Sequence, residues 1–312
     1  MKPAVSINLC CYNSERYLRE TIDSIVKQTY KDWELIVIND GSSDSTESII
    51  YEYIKKGYPI IYHCQENKGL GYSRNEALKR SNGEFIALID HDDIWMPNKL
   101  EMQIPCFEKK PTIGFVFSNA IYFSNSSKNI RFNLYGNRKP PSGRIFGELL
   151  KRSFICISTV IIKKTALMEL EQKFDERFKF GEELDVFLRI LYKWESVYVD
   201  GYLTMYRMHA NSLTSRMPEV IPKEMEMIVS RLKRLYPEIE TNYKYELNVM
   251  RANIQYLYAL EDFCCNRRKD LRKRLAPYLM IEKKLWMPYI FSFLPFSFYK
   301  YLLSLKKNQY KF

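Results

Sequence analysis

Blocks of apolar residues recur along the first ninety positions, and each block predicts one element of secondary structure. Four short apolar runs predict strands, at 5–11, 34–38, 59–64 and 85–89, and the last run is typical of a strand buried on both faces of a sheet. Between these runs, apolar residues at helical spacing predict three helices, the first of them capped by the hydroxyl of Ser14 and the others over 46–56 and 71–80. Strand and helix therefore alternate in units of about 25–30 residues, which predicts an α/β fold with a parallel sheet.

Acidic residues follow two of the predicted strands. Asp40 comes after the second strand, and Asp90, Asp92 and Asp93 come directly after the fourth. The carboxyl ends of parallel strands share one edge of a sheet, and ligands bind there. Three carboxylates so close together repel one another unless a cation lies among them, and Mg²⁺ and Mn²⁺ prefer carboxylate and phosphate oxygens. The pattern predicts a metal–phosphate site at 90–93; the alternative is a solvated acidic turn that caps the next helix.

The turns between the elements exclude the two commonest phosphate-binding loops. The first strand is followed by Cys11-Tyr12-Asn13-Ser14, which contains no glycine, whereas a dinucleotide-binding turn needs several. Gly69 and Gly71 come two units later and lack a third glycine in place. No G-x-x-x-x-G-K-[ST] loop occurs. The layout is that of a nucleotide-binding sheet with a different way of holding its ligand.

Four segments, in this order and spacing, resemble the family 2 glycosyltransferases with the GT-A fold. They are VSINLCCYN at 5–13, QTYKDWELIVINDGSSD at 28–44, NKGLGYSRN at 67–75 and DHDD at 90–93. The resemblance covers roughly residues 3–215. It implies a Rossmann-like, mostly parallel sheet flanked by helices, a nucleotide-sugar donor, a divalent cation (Mn²⁺ or Mg²⁺) and inversion at the anomeric carbon.

The resemblance also assigns the nucleotide-sugar to particular residues: Cys11, Tyr12, Asn13, Asp40, Arg74, Asp90, His91 and Asp92. It implies that Tyr12 and Asp40 hold the base, with Asp40 accepting from the uracil N–H. It places Arg74 near the base or the phosphates, Asp90 near the ribose or the sugar, and Asp92 on the metal. The family's usual Pro-Thr is Cys10-Cys11 here, so a hydroxyl contact to the base is absent.

The middle of the chain supplies the second half of the implied site. A strand is predicted over 156–162, and Glu182-Glu183 stand where the family carries its catalytic acidic pair. Inverting transfer needs a general base, and Glu183 occupies the position of the family's catalytic Asp; Glu182 and Asp185 are alternatives. The two glutamates could instead simply favour the start of a helix through its dipole. Asp185 and Trp95 are expected on the acceptor side.

The segment Tyr206-Arg207-Met208-His209 resembles the family's Tyr-Arg-x-His motif. The resemblance implies that His209 reaches the metal or the diphosphate from a loop that closes over the donor. His91, within the acidic run, is expected to contribute through its backbone.

The chain is nearly charge-balanced except at its C-terminal end. Of its 48 lysines and arginines and 37 acids, residues 266–312 hold twelve and two, which leaves 36 and 35 for residues 1–265. This distribution argues against a nucleic-acid partner and predicts that the tail meets an anionic surface. Seven cysteines without C-x-x-C spacing and the lack of a signal-peptide pattern predict a reduced, cytoplasmic setting.

Three parts are predicted along the chain. Residues 1–216 form the catalytic domain, with a nucleotide-sugar half at 1–100 and an acceptor half at 101–216; packed helices follow at 217–265 and a basic, aromatic tail at 266–312. Within the tail, the apolar run 285–305 is long enough to span a bilayer, but it contains two prolines, a lysine and eight aromatics. These residues favour a segment in the plane of the membrane surface over a spanning helix; a helical cap on the protein stays open.

The resemblance implies an enzyme that moves a sugar from a UDP-hexose or UDP-N-acetylhexosamine to a hydroxyl of a glycan or glycolipid. The expected acceptor is a cell-surface glycan, such as lipooligosaccharide, O-antigen or capsule, at the inner leaflet of the cytoplasmic membrane. One alternative is a sugar-nucleotide nucleotidyltransferase, which normally needs a glycine-rich basic loop after the first strand. The other is a non-catalytic, membrane-attached nucleotide-sugar-binding protein. Release of UDP separates the three.

Overall fold

The computed structural model describes residues 2–124, 127–136, 138–209, 219–265 and 267–293, and the chain divides into two compact units. The first unit comprises residues 1–149 and 153–216, and the second comprises residues 150–152 and 217–312.

A mixed sheet forms the centre of the first unit. In the described part of the chain its strands are β1 Val5–Cys11, β2 Trp33–Asn39, β3 Ile60–Cys64, β4 Phe85–Asp90, β5 Ile94–Trp95, β6 Ile113–Ser124, β7 Ser127–Asn133, β8 Ile161–Lys163 and β9 Glu195–Arg207. They are hydrogen-bonded in the order β3-β2-β1-β4-β8-β6-β9-β5, and β7 pairs with β6. The first four strands are parallel, whereas β8 runs antiparallel to β4 and to β6. The predicted α/β class is confirmed.

Helices connect the strands. Up to residue 193 the described helices are α1 Leu18–Val26, α2 Thr46–Lys55, α3 Leu70–Arg80, α4 Lys99–Gln103, α5 Phe146–Lys151, α6 Lys164–Met168 and α7 Glu182–Lys193, with 3₁₀ turns at Ile104–Lys109 and Ile157–Thr159. The predicted first four strands and the helices between them are found within a few residues of their expected bounds. The strands form because each one is a mainly apolar run that the fold can bury; every residue of β2, for example, is buried.

Two local predictions are wrong. Helix α1 begins at Leu18, and the Ser14 hydroxyl accepts from the Tyr12 N–H at 3.1 Å instead of capping the first turn. The predicted strand over 156–162 is a 3₁₀ turn followed by the short strand β8. The reason is local hydrogen bonding: the hydroxyl and the N–H of Thr159 both donate to the Cys156 carbonyl, at 2.6 and 3.0 Å, and bend the backbone away from a ladder.

The order of the parallel strands creates a crevice at one edge of the sheet. Strand β1 has β2 on one side and β4 on the other, so the connections leave it in opposite directions, which is where open α/β sheets bind ligands. Cys11 pairs with Asn39, and Cys10 pairs with Asp90. The predicted neighbourhood of the two acidic strand ends is thereby confirmed, because Asp40 and Asp90 flank the end of β1.

The second unit is helical. Its described helices are α8 Ile221–Leu235, α9 Ile239–Asn242, α10 Lys244–Cys264, α11 Arg268–Leu275 and α12 Trp286–Phe291, with 3₁₀ turns at Ala276–Tyr278 and Lys283–Leu285. Ala252 and Ala259 of α10 pack with Leu271, Leu275 and Leu285 in a small core. Within the described ranges no helix is both long enough and apolar enough to cross a membrane. Residues 294–305 of the predicted apolar run lie outside those ranges.

Candidate active site

The segment from Gly69 to Asn75 fixes the start of α3 against the chain that leads into α7. Gly69 has a φ of 89°, in the left-handed region that favours glycine. The Asn75 amide donates to the Phe174 carbonyl at 2.8 Å and accepts from the Phe174 N–H at 3.0 Å, as a neighbouring strand would. A Cβ on Gly71 would lie only 3.0 Å from the Asp175 carbonyl oxygen. These contacts place the Arg74 side chain between the two segments.

Arg74 joins three of the predicted site carboxylates. Its Nη2 donates to Asp90 Oδ1 at 3.1 Å, its Nη1 donates to Glu182 Oε1, and the same nitrogen lies 3.9 Å from Glu183 Oε2. The guanidinium is almost fully buried and lies over the Phe174 ring. A buried, planar cation with several N–H donors can hold these anions in fixed positions. The structure thus brings Arg74, Asp90, Glu182 and Glu183 together, although they are far apart in sequence.

The two glutamates at the start of α7 have different environments. The Glu182 side chain is 2% exposed and is paired with Arg74, whereas the Glu183 side chain is 30% exposed. Burial raises the pKa of Glu183 to about 8; the Arg74 charge acts in the opposite direction, and the Glu182 and Asp90 carboxylates raise it further. A carboxylate with a raised pKa and an exposed face is suited to accept a proton near neutral pH.

Asp90 ends β4 at the crevice. Its N–H donates to the Ser158 hydroxyl at 3.1 Å, and its carboxylate meets Arg74 on one side and solvent on the other. Burial raises the pKa of this carboxyl; the Arg74 charge lowers it and the Asp92 charge raises it. Asp90 is therefore positioned to accept hydrogen bonds from a ligand hydroxyl.

Asp92 and His209, the two residues that the resemblance assigns to the metal, lie side by side. The distance from His209 Nε2 to Asp92 Oδ2 is 2.8 Å, and both side chains are partly exposed. Arg207 supports the pair from behind, because its Nε donates to the Asp92 carbonyl at 2.7 Å. The Arg207 guanidinium lies between the rings of Tyr17 and Phe123, with its carbon 4.4 and 4.5 Å from the ring centroids.

Asp93 and His91 hold the acidic turn in shape. Asp93 is fully buried, its Oδ1 accepts from the Arg207 N–H at 2.9 Å, and its N–H donates to the Asp90 carbonyl at 3.2 Å. The hydroxyl of Thr21 lies within 2.9 Å of both the His91 and Asp93 carbonyls. Of the three acids, Asp90 and Asp92 therefore face the crevice, whereas Asp93 faces the interior.

Asp40 holds a loop in this structure. Its Oδ1 accepts from the Gln65 amide at 2.7 Å and from the Lys68 N–H at 2.9 Å, and its Oδ2 accepts from the Gly69 N–H at 2.9 Å. The predicted bond to a uracil N–H would be made by the remaining lone pair of a carboxylate that is 5% exposed. Asp40 thus first fixes the loop 65–69 at the start of α3.

The residues after β1 divide between core and surface. Tyr12 is half exposed at the crevice. Asn13 adopts a φ of 48°, which asparagine tolerates, and its Oδ1 accepts from the Ser43 N–H at 2.9 Å. The Cys11 side chain lies in the apolar core, so this predicted ligand residue can meet a donor only through its backbone. Burial raises the pKa of the Cys10 thiol to about 12 and that of Cys11 well above its usual range, so both are neutral.

Neither residue expected on the acceptor side offers an exposed surface. Trp95 is 2% exposed, and its indole N–H donates to the Ser158 carbonyl at 2.7 Å. Asp185 is fully buried and forms an ion pair with Arg189, with 2.6 Å between Oδ2 and Nη2. The helical register puts Asp185 on the inner face of α7, and the apolar contacts of the indole draw Trp95 into the core.

Three residues to which the sequence assigned no role orient carboxylates of the site. Ser158 orients Asp90, Gln65 orients Asp40 and Arg207 orients Asp92. Ser158 carried a signal, since two hydroxyl residues interrupt the apolar run 155–162. Arg207 stood within a quoted motif, but its burial between two rings follows from tertiary packing. Nothing in the sequence distinguishes Gln65.

The Asp92–His209 pair fits a divalent cation as part of a larger ligand set. The 2.8 Å between the two facing atoms is close to the separation of about 3 Å expected for neighbouring ligands of an octahedral ion. His209 Nδ1 is buried and has no hydrogen-bond partner in the described part of the chain. Among the described residues, no group of three His, Cys, Asp or Glu could hold an ion alone. Further ligands would come from substrate phosphates and water, as is usual for Mg²⁺.

The sequence of this chain is similar to those of known glycosyltransferases. Residues 6–171 match the family model described as "Glycosyl transferase family 2". The chain is 31% identical over 233 residues to "UDP-Glc:alpha-D-GlcNAc-diphosphoundecaprenol beta-1,3-glucosyltransferase WfgD" of Escherichia coli, covering 72% of this chain and 85% of that protein. It is 28% identical to "Putative teichuronic acid biosynthesis glycosyltransferase TuaG" of Bacillus subtilis (strain 168), covering 69% and 82%.

Two solved structures share the fold. S. aureus TarS 1-349, in complex with UDP-GlcNAc, matches 88% of this chain and 89% of its own with a TM-score of 0.63 at 17% identity. The mannosyltransferase PcManGT from Pyrobaculum calidifontis, in complex with GDP-Man and Mn²⁺, matches 94% and 88% with a TM-score of 0.57 at 15% identity. The similarity to TarS confirms the predicted GT-A-like fold with C-terminal helices.

Proposed function

The chain belongs to glycosyltransferase family 2, and from this premise we propose that it transfers a sugar from a UDP-sugar to a hydroxyl of a lipid-linked glycan, with inversion at the anomeric carbon. The donor is a UDP-hexose or a UDP-N-acetylhexosamine. The observation that carries the proposal is the Arg74 cluster, which holds Asp90 at the strand end and leaves the Glu183 carboxylate partly exposed beside it.

Glu183 is the general base of this reaction. Its carboxylate takes the proton of the acceptor hydroxyl as the hydroxyl oxygen attacks the anomeric carbon of the donor. The bond from that carbon to the diphosphate breaks on the opposite face, so one displacement inverts the configuration and releases UDP. Glu182 does not exchange protons; it anchors the Arg74 guanidinium that keeps Glu183 and Asp90 in place.

The donor lies at the end of β1. Tyr12 presents an exposed ring for the base, and Asp40 lies beside the end of the same strand, where its N–H donates to the Cys11 carbonyl. Asp90 accepts from a hydroxyl of the ribose or the sugar. Asp92 and His209 would hold a divalent cation, Mn²⁺ or Mg²⁺, which would neutralise the charge of the departing diphosphate.

The acceptor is proposed from chemistry shared with a relative. The name of WfgD describes transfer from UDP-Glc to a sugar on diphosphoundecaprenol, forming a β1,3 linkage. A β product from an α-linked donor is what a single displacement yields. We therefore place this chain in cell-surface glycan assembly, acting at the cytoplasmic face of the membrane on a sugar carried by a lipid diphosphate.

Two measurements test the proposal. The first is calorimetric titration with UDP-glucose, UDP-N-acetylglucosamine, GDP-mannose and dTDP-glucose, with Mn²⁺ and then with excess chelator. We expect Mn²⁺-dependent binding of one UDP-sugar. The second is release of UDP on addition of an N-acetylglucosaminyl diphosphate with a short apolar tail, with the anomeric configuration of the product read by NMR coupling constants.

The outcomes distinguish a glycosyltransferase from a nucleotidyltransferase and from a non-catalytic binding protein. UDP release with a β-linked product supports the proposal. An α-linked product would overturn inversion. Formation of a new nucleotide-sugar from UTP and a sugar phosphate would make the protein a nucleotidyltransferase. Binding of a UDP-sugar without release of UDP across a panel of lipid-linked acceptors would leave a nucleotide-sugar-binding protein.

A further inference from the structure

The second unit carries a run of exposed apolar side chains between residues 280 and 293. Met280, Met287 and Phe293 are 90%, 62% and 62% exposed, and Trp286 and Ile290 are about half exposed. From Trp286 onward these residues recur at helical spacing, so they share one side of α12 and its continuation. The other side of this helix faces inward, where Leu285 is fully buried and Tyr289 packs on the small core.

This surface differs from the scattered apolar residues found on most proteins. Single exposed leucines or methionines need no explanation, but adjacent ones on one side of a helix mark a site of interaction. Local hydrogen bonds support the helix: the Trp286 indole donates to the Leu279 carbonyl at 3.0 Å, and the Ser292 hydroxyl donates to the Tyr289 carbonyl at 2.6 Å. The apolar side is therefore presented by a folded element.

Basic residues accompany the apolar side chains in the sequence, and one of them, Arg272, contacts the apolar side chains directly. Lys283 and Lys284 are exposed just before α12, and the Lys284 ammonium also donates to Asn253 Oδ1 at 2.6 Å. The Arg272 guanidinium carbon lies 4.5 Å from the centroid of the Phe293 ring, and its Nη1 donates to the Ser292 carbonyl at 3.0 Å. Lys269 and Lys273 of α11 are also exposed. Lysine and arginine beside tryptophan and phenylalanine form the combination that binds the interface of an anionic membrane.

We propose that these residues form a membrane-docking face, comprising Met280, Trp286, Met287, Ile290 and Phe293 with Lys283, Lys284 and Arg272. Its partner is an anionic lipid surface: the apolar side chains enter the interface and the basic groups meet lipid phosphates. The charge of residues 266–312, twelve basic side chains against two acids, complements such a surface, and the sequence 294–312 continues the same aromatic and basic composition. The inference deepens the proposed function, since it rests on an acceptor carried by lipid.

Vesicle binding tests the docking face without any sugar transfer. The full chain is sedimented with vesicles of phosphatidylglycerol and phosphatidylcholine (1:1) and with vesicles of phosphatidylcholine alone, at two salt concentrations. We expect binding to the anionic vesicles that weakens as salt rises. Brominated lipids should quench the fluorescence of Trp286 most strongly, because Trp33 and Trp95 are buried and Trp194 is half-buried in the first unit. The substitution Trp286→Phe should remove most of that quenching.

Substitutions in the membrane-docking face, compared with control substitutions elsewhere, test whether this face binds the vesicles. Met287→Asp with Ile290→Asp should weaken binding at least about tenfold, whereas Met168→Asp, at a methionine with similar exposure in the first unit, should not. Lys283→Gln with Lys284→Gln should weaken binding at least about fivefold, since each basic group near an anionic surface contributes about fivefold and the Lys284 ammonium is shared with Asn253. The exposed pair Lys55 and Lys56, changed to Gln, is the charge-matched control.

Several results would overturn the inference. It fails if the wild-type chain does not bind anionic vesicles, or if the Met287 and Ile290 variant binds them as tightly as the Met168 control. If those substitutions instead turn a dimer into a monomer without affecting vesicle binding, the face joins two copies of the chain. UDP-sugar binding should be unchanged in all these variants, so that failure of the docking face and failure of the proposed function can be told apart.

Discussion

His209 Nε2 lies 2.8 Å from Asp92 Oδ2, and this contact joins the end of β9 to the acidic turn after β4. The two residues are brought together by Arg207, whose backbone N–H donates to Asp93 and whose side chain donates to the Asp92 carbonyl. A carboxylate and an imidazole held in this way can share one cation. The hypothesis of a divalent cation at this edge of the sheet therefore rests on the Asp92–His209 pair.

Replacing the Asp92 carboxylate should separate metal binding from folding. Asp92→Asn keeps the size of the side chain but removes its charge, so Mn²⁺ affinity should fall at least about tenfold and metal-dependent binding of the UDP-sugar should be lost. Binding of Mn²⁺, followed by electron paramagnetic resonance in the presence of UDP, measures the effect independently of turnover. Asp200→Asn, at an exposed residue paired with Lys139, is the control. Equal Mn²⁺ binding by both variants would remove Asp92 from the metal site.

The Arg74–Glu182 pair should matter for stability and for activity in different ways. Arg74→Met leaves buried carboxylates without their cation and should lower the free energy of unfolding by about 3–5 kcal/mol. Adding Glu182→Leu removes the buried charge and should recover much of that loss, while transfer activity stays absent in both variants because Glu183 has lost its neighbouring cation. Denaturant unfolding and UDP release measure the two effects.

A surface ion pair provides the comparison. Arg19 and Glu52 are 2.7 Å apart with about half of each side chain exposed, so Arg19→Met should cost less than about 1 kcal/mol. If Arg74→Met is no more destabilising than Arg19→Met, the buried cluster does not hold the site as described.

The sequence predicted the parallel part of the sheet because its strands are short apolar runs, and periodicity reports such runs directly. It also predicted which acids sit at the strand ends, since chain direction puts Asp40 and Asp90 on one edge. It failed at 156–162, where apolar content indicated a strand but the hydrogen bonds of Thr159 favour a turn. Position in the first motif assigns Cys11 to the donor site, and Trp95 is expected on the acceptor side, whereas packing turns both side chains into the core.

The clusters within the site depended on contacts between distant residues. Arg74 meets Glu182 across a separation of 108 residues, and no local pattern encodes that pairing. The same holds for Gln65, whose amide donates to Asp40. Composition and spacing identify the residues whose side chains are capable of binding or catalysis. The partner of each one is set by the tertiary fold.

Asp40 should be required for the loop 65–69 as well as for the donor. Its two oxygens accept from three donors, so in Asp40→Asn the amide nitrogen must face at least one of them. We expect a loss of about 1–3 kcal/mol in the free energy of unfolding and weaker UDP binding, measured by denaturant titration and calorimetry. Asp32→Asn, at an exposed aspartate, should change neither. An Asp40→Asn protein of wild-type stability would show that these bonds are dispensable.

The raised pKa of Glu183 makes a prediction about the dependence of activity on pH. A general base must be deprotonated, so kcat/KM for the acceptor should rise with pH up to about 8 and level off above it. Glu183→Gln should lower turnover by about 10²–10⁴-fold, with UDP-sugar binding intact. Glu183→Asp, which restores the family's residue, should retain part of the activity. Initial rates of UDP release between pH 5.5 and about 9 provide the test, with the exposed Glu84→Gln as control.

The same shift should appear in stability, with a definite sign. The ordinary pKa of the glutamate side chain is 4.5, so between that pH and about 8 the folded protein binds more protons at Glu183 than the unfolded chain does. The free energy of unfolding therefore falls as pH rises through this window. Glu183→Gln should remove that slope, and the variant should unfold at a higher temperature than the wild type at pH 8 but at a similar temperature near pH 4.5. If the difference in unfolding temperature is independent of pH, or if activity in Glu183→Gln persists, the base is another residue.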